Sequence, residues 1–243
     1  MRKLWLLLAV LVLAPAVWAE TVEDEIARYQ RVFNADRALH SPALDALAYV
    51  GVSDTRVFDR IEALLLEDAN VFRGQRDEKN RVARYIRALG FSGQPKYVPT
   101  IQRFVDDKVY ERYAKAALED LPNYQRWNPI IANRASFDPK LSDDANRVMN
   151  MLKSNDLILK RIAAKRIYFA QTEPVLLQTL ANDLRAVYPT VNHGENPVDA
   201  VAWMVKAIGN AKQEAYRPLL QEVLNSAPSD KVRSYARRAL DLY

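Results

Sequence analysis

His40 and His193 are the only histidines in the chain, and it has no cysteine. Imidazole is the side chain best suited to moving protons near neutral pH and to holding a metal. His40 adjoins Ser41-Pro42 at a helix boundary. His193 sits in a turn-rich loop with Glu195 and Asn196 and could ligate a metal. Neither is paired with a second histidine or a thiolate, so both read as solvated loop residues. Asp106-Asp107 and Asp143-Asp144 are neighbouring carboxylates of the kind that serve as general acid and base. Both pairs fall at helix junctions, where acidic side chains cap free N–H groups, and both are expected to be caps. No G-x-S-x-G, HExxH or phosphate-cradling glycine loop is present. The sequence therefore predicts no catalytic residue, metal or cofactor, and a chain that is not an enzyme.

Binding is the chemistry that remains. Basic clusters recur at Lys79, Arg81, Arg84 and Arg87, at Lys160, Arg161, Lys165 and Arg166, and at Lys231, Arg233, Arg237 and Arg238, with tyrosines between them. They read as a solvated outer face, with an anionic envelope polymer or lipid headgroups as the alternative.

The elements that position these residues are clearest in Asn80–Asp107, NRVARYIRALGFSGQPKYVPTIQRFVDD. Val82, Tyr85, Ile86 and Leu89 follow the i, i+3, i+4, i+7 rule of one helix face. Arg81, Arg84 and Arg87 lie off that stripe, toward solvent. Gly90 is expected to end the helix in the left-handed position. Ser92, Gly93 and Pro95 form a turn, and Val98, Ile101, Phe104 and Val105 mark a second helix. A lone hairpin cannot bury both stripes and needs copies of itself on each side.

The copies are visible. ALAYVG (46–51), YIRALG (85–90) and MVKAIG (204–209) look like one helix end, recurring at steps of about 40 residues. Asp230-Lys-Val-Arg-Ser-Tyr-Ala-Arg-Arg-Ala-Leu240 and Leu159-Lys-Arg-Ile-Ala-Ala164 fit the first-helix pattern D-x-x-V-R-x-x-A-A-x-A-L with small departures. In these features the chain resembles the HEAT-repeat family, particularly its bacterial HEAT-like members, over roughly Ser41 to Tyr243. The resemblance implies an all-α fold, a right-handed α–α superhelix (a HEAT/armadillo-like solenoid) of about five helical hairpins. It also implies that second helices line the concave surface. On that surface Arg60, Arg103, Arg185 and Arg217, with Trp127 near the centre, are the expected partner-binding residues. The alternative is that these arginines pair with Asp59, Asp106, Asp183 or Glu214.

In chain order, residues 1–19 read as a cleaved signal peptide: Arg2 and Lys3, an apolar run from Leu4 to Leu13, Pro15, then Val17-Trp18-Ala19. Without Arg2 and Lys3 the formal charge falls from +5 to +3, a weak preference for anions. Residues 20–40 are the expected N-terminal capping helix, opened by a Thr21-x-x-Asp24 capping box. Residues 41–243 are the repeat domain. Its third repeat is expected to turn at Pro122-Asn123 and to carry an inserted helix over Ser142–Lys153. The fourth repeat spans Asp156–Val187, the fifth Pro197–Ser226, and Ser229–Tyr243 closes the array. The expected role is an exported, periplasmic or secreted, non-catalytic and monomeric scaffold for another envelope protein or peptide, with no nucleic acid partner. The alternatives are a lyase or cell-wall hydrolase with a concave-face site, or a binder of an anionic polymer.

Overall fold

Each first helix buries a stripe of apolar residues at helical spacing, and the way those stripes meet sets the architecture. The structure, a computed structural model, describes residues 21–71, 76–170 and 173–243. The expected signal peptide and residues 72–75 of the loop around Gly74 lie outside the described residues. Helix α1 (Val22–Asn34) precedes five hairpins: α2 (His40–Val50) with α3 (Thr55–Val71), α4 (Arg76–Phe91) with α5 (Val98–Gln102), α6 (Glu111–Ile131) with α7 (Asp143–Lys153), α8 (Leu157–Phe169) with α9 (Pro174–Val187), and α10 (Glu195–Asn210) with α11 (Arg217–Ser226). Helix α12 (Asp230–Leu240) closes the array. First helices pack in order, α2 on α4 on α6 and then α8 on α10 on α12, while α7 touches α2, α6, α8 and α9. No strand occurs among the described residues, and the chain is an all-α solenoid of five helical hairpins. Among those residues no helix is long and apolar enough to cross a membrane.

Local signals act as the sequence predicts at several ends. Thr21 and Asp24 form a reciprocal capping box on α1, with Thr21 Oγ1 accepting from the Asp24 amide at 3.1 Å. Gly51 ends α2 with φ 73°, a left-handed conformation glycine adopts without steric cost.

Gly90 and Gly209 do something else. Neither has a positive φ, and each helix runs on past its glycine, to Phe91 and Asn210. A Cβ on Gly90 would lie 2.6 Å from the Ala117 carbonyl oxygen, and one on Gly209 would lie 2.5 Å from Ala239 Cβ. These glycines let neighbouring first helices touch, α4 on α6 and α10 on α12. In these two copies the glycine of the recurring motif is therefore a packing signal rather than a cap, while in the first copy Gly51 does cap.

The third hairpin also departs from expectation. Helix α6 continues through Pro122 and Pro129 for 21 residues, with no turn at Pro122-Asn123. Both prolines face solvent, where the carbonyls they leave unbonded can be hydrated. The buried stripe Ala114, Ala117, Leu121, Tyr124, Asn128 and Ile131 runs past them unbroken, so burial along the whole face outweighs the local cost. The supposed insertion, α7, is thus the second helix of this hairpin.

Two polar knots sit inside the core. His40 is fully buried, which corrects its reading as a solvated loop residue. Its Nδ1 accepts from the Tyr85 hydroxyl at 2.6 Å, and its Nε2–H donates to the Ala35 carbonyl at 3.3 Å, the neutral tautomer that satisfies both. Beside it Asp68, also fully buried, receives Arg37 Nε on one oxygen at 2.8 Å and Arg81 Nε on the other at 3.1 Å. Arg81 therefore turns inward and not to solvent. The second knot joins α1 to α7. Arg147 Nη2 donates to both oxygens of Glu25 at 2.8 Å, and Arg134 Nη2 adds a third contact at 3.2 Å.

Leu89 is fully buried, while Arg84 makes only a half-exposed pair with Asp45 at 3.0 Å. Leu89→Ala should cost about 2–5 kcal/mol and Gly90→Ala about 1–3 kcal/mol, against under about 0.5 kcal/mol for Arg84→Ala, read as urea midpoints. Similar midpoints for all three would show that the faces are wrongly assigned. Burial holds the His40 pKa below its ordinary 6.5, with the Arg37 and Arg81 charges adding to the effect. The unfolded chain therefore binds the proton more tightly, and His40 contributes stability above that value that is lost as pH falls below it. Wild type should lose stability between roughly pH 7 and pH 5 more steeply than His40→Gln. Parallel curves for the two proteins would remove His40 from the account.

Candidate functional site

Three of the four arginines expected to form a ladder have a partner within the chain. Arg60 Nε donates to the Phe33 carbonyl at 3.2 Å. Arg185 lies 3.9 Å from Glu222, and Arg217 lies 3.5 Å from Glu214, the latter pair as the sequence suggested. Arg103 is exposed at the end of α5 and has no ion pair among the described residues. Trp127 does not join them. It is 3% exposed and lies on α6, among the first helices. The Asp59 and Asp183 carboxylates go to Lys96 and Lys160, each at 2.6 Å.

The acidic pairs divide. Asp107 accepts from the amides of Val109 and Tyr110 at 2.8 and 3.3 Å, as capping predicts. The second pair does not cap. Ser142 caps α7, whereas Asp143 holds Arg134 at 2.9 Å and Asp144 reaches Arg166 at 3.0 Å. His193 is exposed. No group of three or more His, Asp or Glu side chains able to hold a metal ion occurs among the described residues.

What the structure does assemble is a cleft of about 470 Å³ between α6 and α8, with α2, α4 and α10 at its edges. The long α6 supplies Asp120, Tyr124 and Trp127, one helical turn apart from each other and on its buried side. Tyr124 lies against Phe91, with ring centres 4.9 Å apart, and donates to the Ala48 carbonyl at 3.1 Å. Trp127 packs edge-on against Tyr124 and donates through Nε1 to Asp156 Oδ2 at 2.7 Å. The other oxygen of Asp156 caps α8, accepting from the Ile158 and Leu159 amides at 2.8 and 3.1 Å. One carboxylate thus starts the helix that forms the far wall and fixes the tryptophan on the near one.

The charged lining is tuned in opposite directions. Asp120 faces Arg87 Nη2 at 2.5 Å. Burial still pushes its pKa above the ordinary carboxylate value, and the Arg87 charge offsets only part of that shift. Lys165 is pulled below the ordinary amine value by burial first and by the neighbouring Arg161 second. Its ammonium lies 5.0 Å from the centre of the Trp203 ring. Arg161 Nη1 reaches Asn196 at 3.4 Å and Asp199 at 3.3 Å, while its buried Nε–H has no partner. The sequence shows Arg87, Arg161 and Lys165 only as members of basic clusters. The signal for Asp120 is its place beside the buried stripe of α6, and it was masked by the turn expected at Pro122.

No family model matches this chain, and no curated protein matches it. Among solved structures it is similar to human deoxyhypusine hydroxylase in complex with glycerol, at 16% sequence identity and a TM-score of 0.37, covering 90% of this chain and 84% of that one. That protein is an enzyme, matched over most of both chains. The expectation of a non-catalytic scaffold, and of a chain that is not an enzyme, is corrected accordingly.

Proposed function

We propose that this is a helical-repeat protein of the HEAT class that binds a small anionic molecule in the cleft between α6 and α8 and performs acid–base chemistry on it. One observation carries the reading: Asp120 and Lys165, shifted toward each other in pKa, line the same cleft. Titratable groups whose environments move them in opposite directions are how a site prepares a proton donor and acceptor near neutral pH. Asp120 is the proton-transferring group, with Arg87 holding its carboxyl in place. The Arg161 Nε–H, desolvated and without an acceptor, is suited to an oxygen of the ligand, since an unmet buried donor is costly. Tyr124 and Trp127 form the wall that keeps water from the far side. The HEAT assignment is supported by the repeat of about 40 residues and by the paired contacts Gly90–Ala117 and Gly209–Ala239.

A panel of small phosphates and carboxylates screened by thermal shift tests the binding. At least one should raise the wild-type midpoint and leave Arg161→Met unmoved. For a hit that is turned over, Asp120→Asn should lower kcat by about 10²–10⁴ while the ligand still binds, and one limb of the pH profile should disappear. If no compound shifts wild type, or if Arg161→Met shifts equally, the reading falls.

The reading of residues 1–19 as an export signal is a separate proposal, supported by the basic start, the short apolar run and the Val17-Trp18-Ala19 end. The mature chain then begins at Glu20 in the periplasm or outside the cell. N-terminal sequencing of the protein from its native compartment should read from Glu20, and intact residues 1–19 would refute it.

A further inference from the structure

The cleft is one end of a longer groove. Helices α4 and α6 run side by side in the same direction, Arg87 facing Asp120 and Phe91 facing Tyr124. Below the cleft a shallower depression of about 320 Å³ follows the seam between the two helices. Below that, a hollow of about 650 Å³ opens where both helices begin. The three adjoin: Arg87 lines the first and second, and Asn80 and Tyr113 line the second and third. From Arg76 to Arg87 is eleven residues of α4, roughly 16 Å along the helix axis.

The lower hollow is strongly basic. Arg76, Lys79, Lys108, Arg112 and Lys115 line it, with Glu111 as the one acidic lining residue. Glu111 is taken by Lys115 at 2.5 Å. The other four cations have no carboxylate partner among the described residues, and Arg112 lies over the Tyr113 ring at 4.5 Å. Both helices point their N-terminal ends at this hollow, so the backbone adds positive potential to that of the side chains. Like charges gathered in a concave surface without counter-charges raise the local concentration of anions.

We infer that the ligand of the cleft is an elongated oligoanion, with one end beside Asp120 and Arg161 and further phosphate or carboxylate groups in the hollow between α4 and α6. This rests on the reading of the cleft given above and names its ligand class. Single-stranded nucleic acid suits the groove less well. Such strands are held by bases stacked on open aromatic faces. Here Tyr124 and Trp127 are buried and bound to Ala48 and Asp156, and Tyr113 is covered by Arg112.

Orthophosphate, tripolyphosphate and long-chain linear polyphosphate, with oligogalacturonate as the carboxylate counterpart, are titrated by calorimetry into three proteins. These are wild type, the exposed-surface variant Arg76→Gln/Lys79→Gln/Lys108→Gln, and Arg161→Met. Affinity in wild type should rise with chain length for phosphates, carboxylates or both, and whichever series rises identifies the chemistry. The triple variant should lose at least tenfold for the long probe, keep its thermal midpoint, and bind the short probe as wild type does. Engagement of about four cations should also cost the long probe on the order of fiftyfold in affinity for a fourfold rise in salt. A length-independent affinity with the short probe still lost in Arg161→Met overturns the oligoanion and leaves the cleft standing. Unchanged binding of every probe in Arg161→Met overturns the cleft reading and this inference with it. Tighter binding of a single-stranded oligonucleotide than of polyphosphate of equal charge overturns the choice of ligand class.

Discussion

The buried contact between Glu25 and Arg147 ties the first helix to the seventh across 122 residues of chain. Both residues are under 5% exposed, so each side chain has given up its hydration. A buried ion pair of this kind adds little net stability over apolar packing, but losing one partner strands the other charge at a cost of several kcal/mol. Its effect is therefore to specify one arrangement. Arg134 adds a second cation to the same carboxylate and ties in Asp143, and Asp144 continues the network to Arg166 on α8. The start of the chain, the end of α6, α7 and α8 are held as one unit.

That unit decides the geometry of the cleft. Helix α6 must run far enough for its C-terminal turns to meet the end of α2, where Gly51 approaches within contact distance of the Asn128 carbonyl and Ala132. A helix broken at Pro122 would not carry Tyr124 and Trp127 to Ala48 and Asp156. The same length lets the loop after α6 bring Arg134 and α7 back to Glu25. Continuity of one apolar stripe, stronger than two proline penalties, thus positions both the ion cluster and the aromatic wall.

Spacing along the array has another cause. Gly90 against Ala117 and Gly209 against Ala239 allow backbones to approach where larger side chains would hold them apart. Close approach of α4 and α6 puts Arg87 within reach of Asp120 and leaves a continuous seam down to the basic hollow. The Arg87–Asp120 pair and the basic hollow at the start of the two helices both follow from that spacing.

The sequence by itself determined what depends on neighbours within about one or two helical turns. The Val82–Leu89 stripe, the Thr21–Asp24 box, the left-handed Gly51 and the approximate bounds of every hairpin but the third follow from a period of 3.6 residues and from local capping chemistry. What the sequence left open depends on which helices become neighbours. His40 looks like a loop residue until Tyr85, 45 residues away, supplies its hydrogen bond. Arg81 reads as solvated until α3 presents Asp68. Gly90 reads as a cap until Ala117 arrives against it, and Pro122 as a turn until the far end of α6 finds Tyr124 a buried place. Asp120 and Lys165 are ordinary surface charges in the sequence. Only the packing of α6, α8 and α10 removes enough water around them to move their proton affinities, because desolvation belongs to the assembled cleft and not to any one helix.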